Sequence, residues 1–223
     1  MKKLKIYGDS ILKGVMYSEE LKRYRLYGYR FDELAARGVE VENNCKMGAT
    51  VDKGFEIMRD TLSDCGKDTV VVMEFGGNDC DYNWKAVSEN PDIPHFCNTP
   101  EDKFIETYRK AIKYALDRGA DVRVCTLVPI ESGKFMDWIT RGLSYDTILG
   151  WLGDVNMLAR WQEYYSRLSE RVAAEAGVPM LDLRTAFLRD RRLHDMICAD
   201  GIHPNSLGHS LISSTFQSSV IAG

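Results

Sequence analysis

Short runs of apolar and β-branched residues recur along the chain, separated by segments long enough to form helices. The third run is apolar throughout, Val70-Val71-Val72-Met73, which is typical of a central strand covered by helices on both faces. The alternation therefore predicts a parallel sheet between two helical layers. The five predicted strands are Leu4 to Tyr7, Val39 to Asn43, Thr69 to Phe75, Val122 to Val128 and Pro179 to Leu183.

Three segments between these runs carry the signals of helices. The segment from Thr99 opens with a capping residue, a proline and two acids, and then repeats apolar residues at three-to-four spacing until Gly119. A second apolar stripe runs from Val155 to Ala176 and stops before a glycine. Pro204 opens a last helix, which predicts that His203 lies at its entrance.

Two connections are longer than ordinary loops of an α/β unit, one from Cys80 to Asn98 and one from Pro129 to Gly153. Both follow the carboxyl ends of predicted strands, where open parallel sheets bind ligands. A chain of 223 residues is usually one domain. We therefore expect a single domain over residues 1–223, with insertions at about 80–98 and 129–153 that form the walls of a pocket.

Composition and charge exclude several classes of protein. No apolar run approaches the ~20 residues needed to span a bilayer, and the net charge of -4, with Lys and Arg scattered, argues against nucleic acid as a partner. The six cysteines form no Cys-x-x-Cys pair, and the N-terminus lacks the pattern of a secretory signal. These features predict a cytoplasmic protein with reduced thiols.

Candidate chemistry begins at the first predicted strand, which runs into Gly8-Asp9-Ser10. A serine is a weak nucleophile unless an imidazole accepts its proton and a carboxylate orients that imidazole. Asp200 and His203, three residues apart before the last helix, could supply both groups from one loop. Taken alone, Gly-Asp-Ser is more typical of a helix cap than of a nucleophile.

Two further motifs follow other strands of the predicted sheet. Asn78, in Phe75-Gly76-Gly77-Asn78-Asp79, would bring a side-chain amide to the same edge as Ser10, although these residue types also favour a simple turn. Gly48, in Met47-Gly48-Ala49-Thr50, offers a backbone N–H where the chain must approach a ligand closely. Four motifs are thus expected at one sheet edge.

In their order along the chain, the motifs of Ser10, Gly48, Asn78 and Asp200–His203 resemble the blocks of the SGNH hydrolase family, also called GDSL esterases and lipases. The resemblance spans nearly the whole chain. It implies Ser10 as the nucleophile and first oxyanion donor, Gly48 and Asn78 as the other oxyanion donors, and His203 as the base oriented by Asp200. It also implies a three-layer α/β/α fold like that of flavodoxin, with a five-stranded parallel sheet. This strand number agrees with the one predicted from the hydrophobic pattern.

Other functions of these residues, such as nucleotide or metal binding, are less well supported by the sequence. The sequence contains no Gly-x-Ser-x-Gly, Walker or dinucleotide-binding motif. A cluster of possible zinc ligands is opposed by the neighbouring Arg191 and Arg192 and by the use of two of its members in the triad, so we predict no metal site. That cluster is His194, Cys198, Asp200 and His203. His95 and His209 are interpreted as surface histidines or as histidines satisfied by packing.

The two insertions are rich in aromatic residues, which can stack on sugars, line an acyl pocket or simply cover the core. They could also be buried against a second subunit, which makes a homo-oligomer possible. The candidate substrate contacts are Tyr82, Trp84, Phe135 and Trp138, and the insertions also contain Phe96, Tyr145 and Trp151.

The sequence thus predicts a cofactor-independent serine esterase that acts on small acyl esters, with acetylated carbohydrates as the preferred substrates. Two alternatives come from other classes. An acyltransferase would use the same triad and pass the acyl group to an alcohol, whereas a non-catalytic ligand-binding module would keep the pocket without an assembled triad.

Overall fold

The computed structural model describes residues 3–29, 31–63, 65–66 and 68–222, with side chains up to residue 218. The strands are β1 (Lys3–Gly8), β2 (Val15–Ser18), β3 (Arg23–Leu26), β4 (Glu40–Asn43), β5 (Thr69–Glu74), β6 (Asp121–Cys125) and β7 (Met180–Leu181). The helices are α1 (Ser10–Lys13), α2 (Asp32–Ala36), α3 (Val51–Thr61), α4 (Trp84–Glu89), α5 (Glu101–Leu116), α6 (Ser132–Ile139), α7 (Tyr145–Leu152), α8 (Met157–Ala176), α9 (Leu183–Leu188), α10 (Leu193–Met196) and α11 (Ser206–Ala222).

Five of the strands form one parallel sheet in the order β4-β1-β5-β6-β7. Helices cover both faces of this sheet, so the predicted three-layer α/β/α architecture is confirmed. The strands at the centre are buried on both sides, as β5 shows with all six residues buried. This explains why its sequence is apolar without alternation, except for Thr69 and Glu74 at its two ends.

Side chains of the central strands alternate between two hydrophobic clusters. Tyr7 of β1 and Val71 of β5 lie in one cluster with α3, α5 and α8. Ile6 and Val72, their neighbours in sequence, lie in the other cluster with α1, α2, α9 and α11. Because both faces are buried, a shift of one residue in strand pairing would move every one of these side chains to the wrong layer. The register of the sheet is therefore strongly specified.

The pairing of β1 with β5 decides which loops become neighbours. Gly8, the last residue of β1, pairs with Glu74, the last residue of β5. The chain therefore leaves the sheet at the same level in both strands, and the residues that follow, Asp9-Ser10 and Gly77-Asn78, emerge beside each other.

Both insertions contain helices, whereas the sequence indicated only long connections. The first contains α4, which begins after Asn83, whose side chain accepts a hydrogen bond from Ala86 N. The second contains α6 and α7, and Ser144 caps the latter in the same way. Together they bury a third hydrophobic cluster, which consists of Trp84, Val87, Phe135, Met136, Ile148 and Leu158.

Some predicted boundaries differ from the structure. The strand predicted at Val122 to Val128 ends at Cys125, and the one predicted at Pro179 to Leu183 is reduced to Met180–Leu181. Strand β7 is short because Asp182, the next residue, accepts a hydrogen bond from Thr185 N and begins α9. The antiparallel hairpin of β2 and β3 was not predicted.

His209 of α11 fastens the last helix to the start of this hairpin. Its Nε2 lies 2.9 Å from the carbonyl oxygen of Val15 and its Nδ1 lies 2.7 Å from the hydroxyl of Tyr29. The carbonyl requires a proton on Nε2; in the neutral ring Nδ1 then accepts from the tyrosine hydroxyl, which also lies 3.1 Å from the Ile11 carbonyl oxygen. Burial lowers the pKa of His209 to about 4.

We predict that His209 makes the protein less stable in mild acid. Its pKa is about 4 in the folded chain and ~6.5 in an unfolded chain, so the unfolded state binds the extra proton as the pH falls from ~6.5 towards ~4. The loss between pH 7.5 and 5 should be about 2 kcal/mol of unfolding free energy, measured by urea denaturation. His209→Gln should lose less over the same interval, and an equal loss in both proteins would contradict the assignment.

Candidate active site

Ser10 lies at the point where β1 turns into α1. Asp9 precedes it as the N-cap, and its Oδ1 accepts a hydrogen bond of 2.8 Å from Ile11 N. Both Asp9 and Ser10 are almost completely buried. The turn therefore holds the serine at the carboxyl edge of the sheet, because the Asp9 carboxylate before it accepts a hydrogen bond from the Ile11 N–H after it.

Asp200 and His203 come from one loop whose conformation the aspartate stabilises. Asp200 Oδ1 accepts hydrogen bonds from the backbone N–H groups of Ile202 and His203, at 3.1 and 3.0 Å. Gly201, which follows Asp200, has a φ of +75°, and a Cβ there would lie 2.2 Å from the backbone nitrogen of Phe135. Glycine is therefore required both by the backbone angle and by the close packing of α6 on the loop.

The structure brings Ser10, His203 and Asp200 together in one hydrogen-bonded chain. His203 Nε2 lies 2.8 Å from Ser10 Oγ, and His203 Nδ1 lies 2.7 Å from Asp200 Oδ2. Burial alone would raise the pKa of Asp200, but the hydrogen bonds and positive charge that His203 offers hold it below its usual value. An ionised Asp200 can orient the imidazole so that its other nitrogen faces the serine hydroxyl.

Asn78 lies beside the turn that carries Ser10, while Gly48 lies in the turn after β4. The Asn78 amide nitrogen donates to Asp9 Oδ2 at 2.9 Å and to the carbonyl oxygen of Ala49 at 3.2 Å. Gly48 is exposed, has a φ of +75° and does not line the cavity next to Ser10. Asn78 is thus in direct contact with the serine turn, and Gly48 is linked to it only through its neighbour Ala49.

Two buried acids near the site were not singled out from the sequence. Asp79 accepts hydrogen bonds from Val51 N, at the start of α3, with both carboxylate oxygens, and burial raises its pKa to about 7. Glu74 ends β5 and is 1% exposed. A charged residue at the end of an otherwise apolar strand was the signal that could have identified Glu74.

A cavity of about 220 Å³ opens beside Ser10, Asn78 and His203. Of the four aromatic residues predicted to contact substrate, Tyr82, Trp84 and Phe135 line it. Its other apolar walls come from both insertions, from α8 and from the loop after β6. They include Leu127, Ile130, Trp151, Met157, Leu158 and Trp161.

The polar atoms of several wall residues are already bonded to the protein. The indole N–H groups of Trp84 and Trp161 donate to Asp81 Oδ1 at 2.8 Å and to the Cys80 carbonyl at 3.0 Å. Gln162 donates to the Val128 carbonyl and accepts from Arg184. The cavity therefore offers mainly hydrocarbon surface to a ligand.

Trp138, the fourth candidate, does not line this cavity. It packs edge-on against Tyr17 and Tyr24 of the β2–β3 hairpin, with the Arg141 guanidinium 3.8 Å from its ring centre. Tyr24 in turn lies 5.1 Å from the His203 ring. Burial, followed by the charge of Asp200, raises the pKa of Tyr24 to about 12. The hairpin thus brings an aromatic residue to the triad that the sequence did not suggest.

The possible zinc ligands do not assemble. His194 is exposed and lies 3.8 Å from Glu131, away from the triad, and no group of three or more His, Cys, Asp or Glu side chains suited to a metal occurs in the described part of the chain. His95 bonds to the carbonyl of Asn90. Over the same residues, no helix is both long and apolar enough to cross a membrane.

Comparisons with known proteins concern the family and the fold of the chain. The model of the GDSL-like lipase/acylhydrolase family matches residues 6–211. No curated protein sequence matches the chain significantly. Similar solved structures include a lipase/acylhydrolase from Enterococcus faecalis, with a TM-score of 0.64 and 20% identity over 99% of this chain and 95% of that one.

Two acetyl xylan esterases also share the fold. AlAXEase has a TM-score of 0.65 and 19% identity, over 98% of this chain and 99% of its own. Axe2 from Geobacillus stearothermophilus has a TM-score of 0.64 and 18% identity, over 98% and 94%. At this identity the structures establish the fold, and the family model establishes the family. The chain belongs to the GDSL-like lipase/acylhydrolase family and is a serine hydrolase of the kind that acts on carboxylic esters.

Proposed function

We propose that the protein hydrolyses esters of small acyl groups through an acyl-enzyme on Ser10, with His203 as general base and Asp200 orienting it. One observation carries the proposal: the unbroken pair of hydrogen bonds, 2.8 Å from Ser10 Oγ to His203 Nε2 and 2.7 Å from His203 Nδ1 to Asp200 Oδ2. These are distances at which a proton can pass from the hydroxyl to the imidazole as the nucleophile attacks.

The proton follows one route in both halves of the reaction. An ionised Asp200 only accepts hydrogen bonds, so Nδ1 of His203 carries the proton and Nε2 is free to take another. That second proton leaves Ser10 as Oγ bonds to the ester carbon, and it passes to the alcohol when the alcohol departs. Water then gives a proton to Nε2 and attacks the acyl carbon, and Ser10 recovers its proton as the carboxylic acid is released.

The negative charge on the carbonyl oxygen needs hydrogen-bond donors during both attacks. We assign this role to the side-chain amide of Asn78 and to the backbone N–H groups of Ser10 and Gly48. The contact of Asn78 with Asp9 supports this assignment because it fixes the amide next to the serine turn. Its longer bond, to the Ala49 carbonyl, is the one that an oxyanion would replace or share.

The acyl group is assigned to the apolar cavity. The acyl part must stay on the enzyme while the alcohol leaves, and a cavity whose polar wall atoms are already bonded suits a hydrocarbon better than a sugar. Its 220 Å³ exceeds the ~150 Å³ of an engineered apolar cavity that binds benzene. Acetyl esters of carbohydrates, the substrates named for two structural neighbours, are the smallest substrates that we propose.

We predict that Ser10→Ala abolishes ester hydrolysis. The loss should be at least ~1,000-fold in kcat, because the acyl-enzyme cannot form without the hydroxyl. p-Nitrophenyl acetate turnover and covalent labelling by a fluorophosphonate probe would both be measured, with circular dichroism as the control for folding. Equal turnover or equal labelling of a folded Ser10→Ala protein would rule out the mechanism.

We also predict how the rate depends on acyl length. In a series of p-nitrophenyl esters, kcat/KM should rise several-fold per methylene from acetate to about hexanoate, since each buried methylene contributes ~0.8 kcal/mol. Longer chains should bring no further gain because the cavity is filled.

A matched pair of variants tests the location of the acyl group. Leu158→Phe fills the cavity and should lower the hexanoate-to-acetate ratio about tenfold while acetate turnover persists. Phe96→Leu changes an aromatic residue of the insertions that is 77% exposed and outside the cavity, and it should leave the ratio unchanged. An unchanged ratio in Leu158→Phe would place the acyl group elsewhere.

A further inference from the structure

The buried carboxyl group of Glu74 has no role in the mechanism above. It lies at the end of β5, directly opposite Gly8 of β1, and is 1% exposed. A Cβ on Gly8 would lie 3.1 Å from the Glu74 carbonyl oxygen and 3.4 Å from Glu74 Oε2. A side chain at position 8 would thus be tight against the Glu74 backbone and in van der Waals contact with its carboxyl group, which lies immediately beside the turn of Asp9 and Ser10.

The hydrogen bonds around Glu74 indicate where its proton lies. Its carboxyl group interacts with the Asp9 carboxyl group and also accepts a hydrogen bond from the Asp9 backbone N–H, while Oε2 accepts no hydrogen bond from any donor in the described residues. Two carboxyl oxygens can share such a contact only when one carries a proton. Burial raises the pKa of Asp9 as well as that of Glu74, but Asp9 accepts hydrogen bonds from both Ile11 N and the Asn78 amide, which favour its ionised form. The proton is therefore expected on Glu74.

The surroundings of Glu74 also disfavour its ionised form. The titratable groups that interact with it are the carboxyl groups of Asp9 and Asp79, the thiols of Cys45 and Cys125 and the hydroxyls of Tyr29 and Tyr108. Each of these is neutral or negative. Burial first, and then the charge of Asp9, raises the pKa of Glu74 well above its usual value.

We propose that Glu74 is a positioning residue: as a neutral acid it donates a hydrogen bond to Asp9, and Asp9 in turn holds the Asn78 amide at the oxyanion site. The proposal rests on the proposed function, because it requires Asn78 to act as an oxyanion donor. A carboxylate of Asp9 attracts the NH₂ end of the Asn78 amide and repels its oxygen, so it sets which end faces the serine. The proton on Glu74 keeps the charge beneath the oxyanion at one instead of two.

A double-mutant cycle in kcat tests whether Glu74 acts through Asn78. Asn78→Ala should lower kcat about 100-fold, as for the loss of one oxyanion donor. Glu74→Leu, which removes the donor to Asp9, should lower kcat about tenfold with little change in KM. In the double variant the Glu74→Leu effect should disappear, so that kcat equals that of Asn78→Ala alone. Multiplication of the two losses would overturn the proposal.

The conservative variant separates a hydrogen-bond donor from a charge. Glu74→Gln keeps a donor of the same shape without an ionisable group, and its kcat should stay within about threefold of wild type. A loss as large as that of Glu74→Leu would overturn the donor role. Thermal unfolding distinguishes positioning from structural damage: Glu74→Leu removes a buried acid and should unfold at an equal or higher temperature despite its lower kcat.

Infrared difference spectroscopy gives a readout that needs neither turnover nor the leucine variant. At pH 7, the difference between wild type and Glu74→Gln should contain the C=O band of a buried protonated carboxyl group. Asp79→Asn is the control, since Asp79 is a second nearby acid whose pKa burial raises, to about 7, and that variant should retain the Glu74 band. A wild-type spectrum without such a band would show that Glu74 is ionised and would refute the proposal.

Failure of this inference is distinguishable from failure of the proposed function. If Ser10→Ala abolishes turnover while the cycle is additive, the Ser10 mechanism stands and only the role of Glu74 is wrong. If Ser10→Ala remains fully active, the proposed function fails, whereas the infrared band still reports whether Glu74 holds the proton.

Discussion

The parallel pairing of β1 with β5 is the constraint on which the candidate active site depends. Because Gly8 pairs with Glu74, the two short turns that carry Ser10 and Asn78 begin at the same level of the sheet. Neither turn has enough residues to correct a misplaced strand. Their relative position is therefore set by the packing of both sheet faces, where a shift of one residue would exchange the buried sides of β1 and β5.

The loop of Asp200 and His203 reaches the same edge from the other end of the chain and is held differently. Cys198 N donates to the His203 carbonyl at 2.8 Å, which closes the loop on itself. Lys134 of α6 donates to the carbonyls of His194 and Ile197, at 2.6 and 2.8 Å, and ties the second insertion to the segment before the loop. The second insertion, which lines the cavity, thus also supports the loop that carries His203, the general base of the proposed triad.

The sequence predicted the elements that are marked by apolar patterns or by short polar motifs. The five sheet strands could be predicted from their short apolar runs, α5 and α8 from apolar residues at helical spacing, and α11 from the proline that opens it. The β2–β3 hairpin could not, since its second strand, Arg23–Leu26, has only four residues and all of them are exposed. The same reason explains why Tyr24 was missed and why Trp138, which packs on the hairpin, was assigned to the substrate site.

Within the site, the sequence indicated the residues that form the hydrogen-bonded arrangement of Ser10, His203 and Asp200, but the contacts that support them required the structure. Ser10, Asn78, Asp200 and His203 stand in recognisable motifs, whereas Glu74 stands at the end of a strand where its burial depends on the neighbouring strand. The glycine of Gly-Asp-Ser illustrates the difference: the motif predicts it as a turn residue, yet a side chain there would crowd Glu74 and also lie 3.3 Å from Cys45 Sγ.

Three buried acids in so small a volume are costly for folding, since burial of a carboxyl group without a cation disfavours its charged form. Two of them have clear local partners, because Asp9 caps α1 and Asp79 bonds to the start of α3. Glu74 instead bonds to the serine turn itself, at Asp9, and a leucine of similar size would suit the apolar clusters beside it. A residue that is unfavourable for stability and lies one contact away from the serine turn is better explained by the chemistry of that turn than by the fold.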